Sequence, residues 1–130
     1  MGRKTNVVSS NVPSDDGVSS ILVGVDDSEG AVAALRWADA YVTAAAERGV
    51  ELRAAAVTAW SPPAFDLVGG MLDADLMEQG AAEMVGRLLA GLPDPERFET
   101  IVRAGPPTEV LLEEADRVDA GLVVVGTRGR

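Results

Sequence analysis

The chain has 130 residues, of which 47% are hydrophobic and 25% are charged, and its formal charge at pH 7 is −10. This length suits one hydrophobic core, and no run of about 18 apolar residues predicts a membrane-spanning helix. The sequence contains no cysteine and no histidine, which excludes disulfides, thiolate and imidazole catalysis and nearly all common zinc sites. The acidic balance opposes broad contact with nucleic acid or anionic lipid, because both need a basic face, so we expect neither as a partner.

The first part of the chain is polar. Residues 1–19 are rich in Ser, Asn and Asp and show no helical or strand period, so we expect a disordered leader there. Arg3 and Lys4 are followed by polar residues, which is unlike a secretory signal peptide and favours a cytoplasmic location. The folded domain is expected over residues 20–130, and it begins with a short buried strand at residues 21–25.

The remaining elements alternate between helix and strand. The first helix ends near Gly49, and an alanine-rich strand is predicted over residues 52–60, because that stretch follows a helix and precedes a Ser-Pro-Pro turn. The later predictions are a helix over 72–90, a strand over 98–103, a helix over 108–117 and a strand over 122–125. On the last helix, Glu113, Glu114 and Asp116 are predicted to form a solvated face. This alternation predicts an α/β domain, an open parallel sheet with helices on both faces.

The last strand enters a glycine turn that carries positive charge. Residues 122–125, LVVV, are followed by residues 126–130, GTRGR. β-Branched residues favour a buried strand, and glycines let the backbone approach a ligand without interference from a Cβ atom. The two arginines put positive charge where a phosphate would bind. Taken alone, the turn is equally consistent with a solvated loop.

Four segments together resemble the universal stress protein family. They are residues 21–28 (ILVGVDDS), the strand ending near Val57, residues 105–111 (GPPTEVL) and residues 123–130 (VVVGTRGR). The resemblance covers about residues 20–130. It implies an adenine nucleotide alpha hydrolase-like sheet in which the first and fourth strands of the domain are neighbours and the chain reverses direction between them. A crevice at such a switch point is where open α/β sheets bind ligands.

The resemblance also implies a set of residues that contact ATP, with Mg²⁺ bridging the phosphates. In ATP-binding members, an aspartate after the first strand contacts ribose and adenine, and Asp26 matches it. A residue at the end of the second strand holds adenine through its backbone, and Val57 matches it. Gly126 matches the glycine at the ribose, and Gly129 matches the glycine that donates to the phosphates. The full set of candidate cofactor-binding residues is Asp26, Val57, Gly126, Gly129, Thr127 and Arg128.

Each of these residues also has a purely structural interpretation. Asp26 is consistent with a cap on the helix that follows it, since carboxylates accept hydrogen bonds from the unpaired N–H groups of a first turn. Asp27 is assigned to such an N-cap role. Val57 is consistent with a core residue. Trp60 is a further candidate for a ligand contact, as a cover on the adenine side of the crevice.

The sequence departs from the family pattern at Arg130. The family's phosphate signature is Gly, two residues, Gly, nine residues, then Gly with Ser or Thr, and only its first half is present, at Gly126 and Gly129. The family's final helix and fifth strand, through which many members dimerise, are also missing. We therefore expect a domain truncated at the phosphate loop, and we keep a homodimer as an open expectation.

Three functions remain on sequence grounds. The first is an ATP-binding regulatory module in a stress response, which needs no covalent chemistry and is not an enzyme. The second is a structural or interaction module of the same family that binds no nucleotide. The third is a weak ATPase, for which only Asp26 or Asp27 is available as a base near a terminal phosphate.

Overall fold

The computed structural model describes residues 6–8, 19–26, 28–61 and 74–126. Its helices and strands in chain order are β1 (Asn6–Val8), β2 (Ser20–Gly24), α1 (Glu29–Glu47), β3 (Arg53–Trp60), α2 (Ala74–Leu89), β4 (Phe98–Ala104), α3 (Pro107–Arg117) and β5 (Leu122–Val125). A 3-10 turn at Pro95–Arg97 precedes β4. The strands form one parallel sheet in the order β1-β5-β2-β3-β4. The predicted α/β class and the predicted parallel sheet are confirmed.

The chain reverses direction across the sheet at β2. From β2 it proceeds through β3 to β4 on one side, whereas β5 pairs with the other side of β2. The register places Gly24 of β2 opposite Val57 on one side and opposite Val125 on the other. The ends of β2 and β5 therefore lie side by side at a switch point, as the family resemblance implies.

The sheet is buried on both faces. Alternate side chains of each strand point to opposite faces, and each face has its own apolar cluster. Helices α1 and α2 cover one face, where Ile21, Val23 and Val124 are almost fully buried. Helix α3 covers the other, against Leu22 and Val123. Strand β3, next to the central strand β2, is rich in alanine, and its small side chains let helices approach from both sides.

The first strand was not expected. Asn6–Val8 pairs with β5 in parallel, with Asn6 opposite Leu122 and Val8 opposite Val124. The prediction of a disordered leader over residues 1–19 is therefore wrong for these three residues. The edge of β5 offers unpaired backbone N–H and C=O groups, and pairing with them needs no periodic pattern of side chains. Residues 1–5 and 9–18 of the predicted leader lie outside the described residues.

An ion-pair cluster joins β4 to α3. Glu114 is 4% exposed, and its carboxylate accepts hydrogen bonds from Arg103 Nη1 (3.0 Å) and Arg117 Nε (2.8 Å). Arg103 also donates to Glu113 Oε1 at 2.8 Å. The prediction that Glu114 lies on a solvated face is wrong, because helical spacing alone does not show that an arginine reaches it from β4. Burial acts to raise the pKa of Glu114, but the hydrogen bonds from Arg117 and Arg103 outweigh it and hold the pKa below its ordinary value.

Replacing Glu114 tests this cluster. We expect Glu114→Gln to lower the free energy of unfolding by about 2 kcal/mol at pH 7, because two charge-assisted hydrogen bonds are lost. The two arginines are partly exposed and can form hydrogen bonds to water instead. The lowered pKa stabilises the folded protein above the unfolded pKa of about 4.3, and that stabilisation is lost as the pH falls through the folded value. Urea unfolding should therefore show a smaller loss of stability on acidification for the variant than for the parent protein.

Glu113→Gln is the matched control. Its carboxylate contacts Arg103 but is 60% exposed, so we expect a change below about 0.5 kcal/mol. Equal losses in the free energy of unfolding for the two variants would contradict the conclusion that the buried Glu114 carboxylate stabilises the fold.

Candidate functional site

A crevice opens at the switch point, beyond the ends of β2 and β5. Its volume is about 270 Å³, close to the lower bound for small-molecule sites. Apolar side chains from both sides of the sheet end line the crevice, with those of Val25, Val57, Val110 and Leu111 among them. Asp26 and Thr108 contribute polar groups at its margin. These lining residues suit a ligand that has a flat apolar group with a polar group attached to it.

Asp26 lies at the crevice and is exposed. Its Oδ1 accepts hydrogen bonds from the backbone N–H of Ser28 (2.9 Å) and from the Ser28 hydroxyl. Ser28, rather than Asp26, is the N-cap residue of α1, and its side chain makes no capping hydrogen bond. Asp26 therefore accepts hydrogen bonds from the N-cap residue itself, two positions further along the chain. This turn holds the Asp26 carboxylate beside the crevice.

The backbone of β3 faces the crevice at Ala59 rather than at Val57. The Val25 N–H donates to the Val57 carbonyl (2.8 Å), so the Val57 backbone points toward β2 and its carbonyl already accepts a bond there. Successive residues of a parallel strand point their backbone groups to alternate neighbours, and Ala59 therefore points to the same side as Val57. Among the described residues, no backbone hydrogen bond continues the β2–β3 ladder beyond Val25. The N–H and C=O of Ala59, which also lines the crevice, are thus directed into it.

Thr58 fixes the spacing of the two strand ends. Its side chain is buried, and its Oγ1 donates to the Val25 carbonyl at 2.8 Å. This bond ties the residue after β2 to β3 at the floor of the crevice. Sequence reasoning missed Thr58, and the available signal was a lone hydroxyl residue within an apolar strand.

Gly126 lies against the first turn of α1. An ideal Cβ atom built on Gly126 would overlap the carbonyl group of Gly30 and would lie 2.7 Å from Gly30 Cα. These obstacles are backbone atoms, which do not rotate away. Gly126 is therefore required by the packing of β5 against α1, as well as being placed at the crevice. Sequence reasoning missed Gly30, whose signal is a glycine in the first turn of a helix.

Two helices begin at the crevice. Ala31 in the first turn of α1 and Pro107 and Thr108 in the first turn of α3 line it. Helix N-termini carry a partial positive charge and unpaired N–H groups, so the crevice can attract an anion although the chain is strongly acidic. Within the described ranges, no group of three carboxylates is placed to hold a metal ion.

Other predicted site residues are not brought together here. Gly129, Thr127, Arg128 and Asp27 lie outside the described residues. Trp60 does not line the crevice among the described residues, and alternation along β3 puts its side chain on the opposite face from Ala59. None of the described helices combines the length and the apolar character needed to cross a membrane.

Two glycine substitutions compare a collision with backbone atoms and a collision with the ends of side chains. We expect Gly126→Ala to lower the free energy of unfolding by more than about 3 kcal/mol, because the added methyl meets backbone that cannot move. At Gly24 the added Cβ would lie 3.0 Å from Leu111 Cδ2 and 3.3 Å from Val125 Cγ1. Those atoms end flexible or rotatable side chains, so Gly24→Ala should cost about 1 kcal/mol. Urea unfolding measures the free energy of unfolding of both variants. Equal losses would contradict the close contact between Gly126 and the backbone of Gly30.

Comparison with known proteins identifies the family. Residues 17–130 match the sequence model of the universal stress protein family. A search of curated proteins finds no match. Among solved structures, a universal stress protein family member from Burkholderia pseudomallei is 24% identical, with a TM-score of 0.57, and the match covers 88% of this chain and 85% of that one.

Two further solved structures are similar to this chain. A universal stress protein from Archaeoglobus fulgidus is 27% identical with a TM-score of 0.50, and the match covers 82% of this chain and 73% of that one. A universal stress protein in complex with cAMP is 24% identical with a TM-score of 0.48, over 85% of this chain and 73% of that one, and at that overlap its ligand has no bearing on this crevice. Because the family match spans nearly the whole described sheet and the switch-point topology agrees with it, the chain belongs to the universal stress protein family.

Proposed function

We propose that this chain is an adenine-nucleotide-binding regulatory module of the stress response, with ATP as the ligand and Mg²⁺ bridging its phosphates. The observation that carries the proposal is the backbone of Ala59. Its N–H and C=O face the crevice, beyond the last hydrogen bond between β2 and β3. Membership of the universal stress protein family supports the regulatory role.

The base is assigned to the apolar part of the crevice. Small pockets obtain affinity from apolar walls and specificity from a few well-placed polar groups. Adenine offers an acceptor at N1 beside a donor at N6, and a strand backbone offers a donor beside an acceptor. We therefore move the predicted base contact from Val57 to Ala59. Val57 keeps a role in the wall through its side chain.

The ribose and phosphates are assigned to the margin of the crevice. The exposed carboxylate of Asp26 accepts hydrogen bonds from ribose hydroxyls, and the first turns of α1 and α3 favour the negative phosphates. The predicted phosphate contacts at Gly129, Thr127 and Arg128 remain predictions. A cytoplasmic location and a homodimer also remain predictions.

A structural or interaction module is the second candidate, and one observation favours it. Gly126 has a packing reason to be glycine, since a side chain there would collide with Gly30. A glycine at position 126 is therefore needed whether or not a nucleotide binds. Under this alternative, Asp26 orders the turn before α1 and has no ligand. No described feature favours the weak ATPase, and we propose no catalytic residue.

Thermal unfolding with Mg-ATP tests the proposed function. A ligand selective for the folded state stabilises it by about 2.7 kcal/mol at 100 times its Kd, so millimolar Mg-ATP should raise the Tm. We expect Asp26→Ala to weaken ATP binding by 10- to 100-fold, since a hydrogen bond to a charged group contributes about 1.5–3 kcal/mol. Asp94→Ala is the control, because it removes an exposed carboxylate before β4, at the opposite edge of the sheet. A Tm unmoved by any nucleotide would favour the interaction module.

Ala59 can be tested through base preference. Ala59→Pro removes the N–H assigned to adenine N1, and Ala59→Gly retains it. With the ribose held at Asp26, we expect the proline variant to lose at least about 10-fold in ATP affinity, one hydrogen bond of about 1.4 kcal/mol, and to lose its preference for ATP over GTP. The glycine variant should keep that preference. Titration calorimetry measures the affinity of each variant for ATP and for GTP. Equal ATP affinities of the two folded variants would mean that another residue contacts the base.

A further inference from the structure

Strand β4 lies at an edge of the described sheet and pairs there with β3 alone. The Gly105 N–H donates to the Trp60 carbonyl at 2.9 Å, so the backbone groups of Gly105 point toward β3. Successive residues of a parallel strand point their backbone groups to alternate sides. The N–H and C=O groups of Thr100 and Val102 are therefore directed outward, where no described strand pairs with them.

The features that usually protect an edge strand are weak on the side of β4 that faces α2. The strand is seven residues long and contains no proline, and its pairing with β3 continues without a bulge over its whole length. Its charged residues Glu99 and Arg103 lie on the other face, with α3, because side chains alternate along a strand. Arg103 is held there by Glu113 and Glu114. A long, regular edge of this kind is open to pairing with another chain.

A groove of about 730 Å³ runs beside this edge, between α2 and β4. Residues that line the groove include Asp75, Glu78, Gln79 and Ala82 of α2 and Thr100 and Val102 of β4. The four residues of α2 recur at helical spacing, so they share one face of that helix. Two of them carry carboxylates, and no lysine or arginine of the described ranges lines the groove. The α2–β4 groove therefore combines outward backbone groups with a negatively charged wall.

We propose that the α2–β4 groove binds an extended peptide segment of a partner protein that carries lysine or arginine at alternate positions. The segment adds a strand to β4, and its main chain forms hydrogen bonds with the outward backbone groups of Thr100 and Val102. Every second side chain of the segment then lies on the side of α2. A basic side chain there meets the carboxylates of Asp75 and Glu78.

Charge distinguishes this occupant from a second copy of the chain. Each copy has a formal charge of −10, and pairing of two β4 edges would bring the carboxylates of both grooves together, which is unfavourable. A basic segment is attracted to the same carboxylates, and added salt weakens that attraction. The groove shares no lining residue with the crevice, so the inference does not depend on nucleotide binding.

NMR titration of the full chain with synthetic hexapeptides tests the proposal. The probes alternate lysine or arginine with threonine, valine or tyrosine, and each has an acidic counterpart with glutamate at the basic positions. We expect basic probes to bind at least about 10-fold more tightly than their counterparts at low salt and to shift the amide signals of Thr100 and Val102. The proposal is overturned if no basic probe binds with a Kd below about 5 mM.

Two charge reversals on α2 separate contact in the groove from attraction to the whole acidic chain. Glu78 lines the groove, whereas Glu83 is exposed and does not; five positions place it about 140° away around the helix. We expect Glu78→Lys to weaken binding of the basic probes about 5- to 10-fold, because repulsion replaces an ion pair. Glu83→Lys should weaken it less than about 3-fold. Equal losses would show that the groove is not the binding surface.

A proline at position 102 tests the backbone contact. The Val102 N–H points outward, so Val102→Pro leaves the hydrogen bonds between β3 and β4 intact. We expect the folded proline variant to bind the basic probes about 10-fold more weakly, the loss of one hydrogen bond, whereas Val102→Thr keeps the N–H and the parent affinity. Unchanged affinity in the proline variant would exclude strand addition at this edge.

Amide hydrogen exchange in the unmodified chain gives the same answer without a substitution. The amides of Thr100 and Val102 should exchange faster than those of Ile101 and Arg103, which point toward β3, and a saturating basic probe should slow them. Slow exchange of Thr100 and Val102 in the free chain would contradict an open edge. Exchange that a saturating probe leaves unchanged would mean that the peptide binds elsewhere.

Discussion

The contact between Gly30 and Gly126 determines where the crevice lies and what forms it. Helix α1 follows β2 but begins beside the end of β5, and the lack of a side chain at Gly126 lets the two backbones meet at that distance. This approach brings the positive N-terminus of α1 to the switch point. With a side chain at Gly126, the helix would start further from the sheet, and the crevice would change in shape and lose part of its polarity.

The anion binding proposed for the site depends on backbone groups. The chain has ten more acidic than basic charges, so its overall field repels a nucleotide. The N-termini of α1 and α3 and the end of β3 nevertheless supply N–H groups at the crevice. Their dipoles act at short range, whereas dissolved ions screen the repulsion from the acidic side chains further away. The proposed binding of a small anion and the expected lack of contact with nucleic acid are therefore compatible in one molecule.

Sequence patterns predicted the elements of this fold better than its contacts. Apolar periodicity located β2 and α1, and the glycine turn located the end of β5, because these features are local. The backbone direction of Ala59 depends on the register between β2 and β3, which no local pattern contains, and Val57 was chosen two residues away. Glu114 and β1 were misjudged for the same reason. Their environments are set by Arg103 and by the edge of β5, both distant in sequence, and the phosphate contacts at Gly129, Thr127 and Arg128 lie outside the described residues.

The position of β5 also governs how the molecule folds. It is the last described strand, yet it lies between β1 and β2, whose residues are roughly a hundred positions earlier in the chain. Pairing over such a separation is slow, because the loop must close before any contact compensates for the lost entropy. The crevice consists of the ends of β2 and β5, so it comes into existence only when this late pairing is complete. The nucleotide binding proposed above would therefore select only the finished sheet, and it would slow unfolding without guiding the earlier steps of folding.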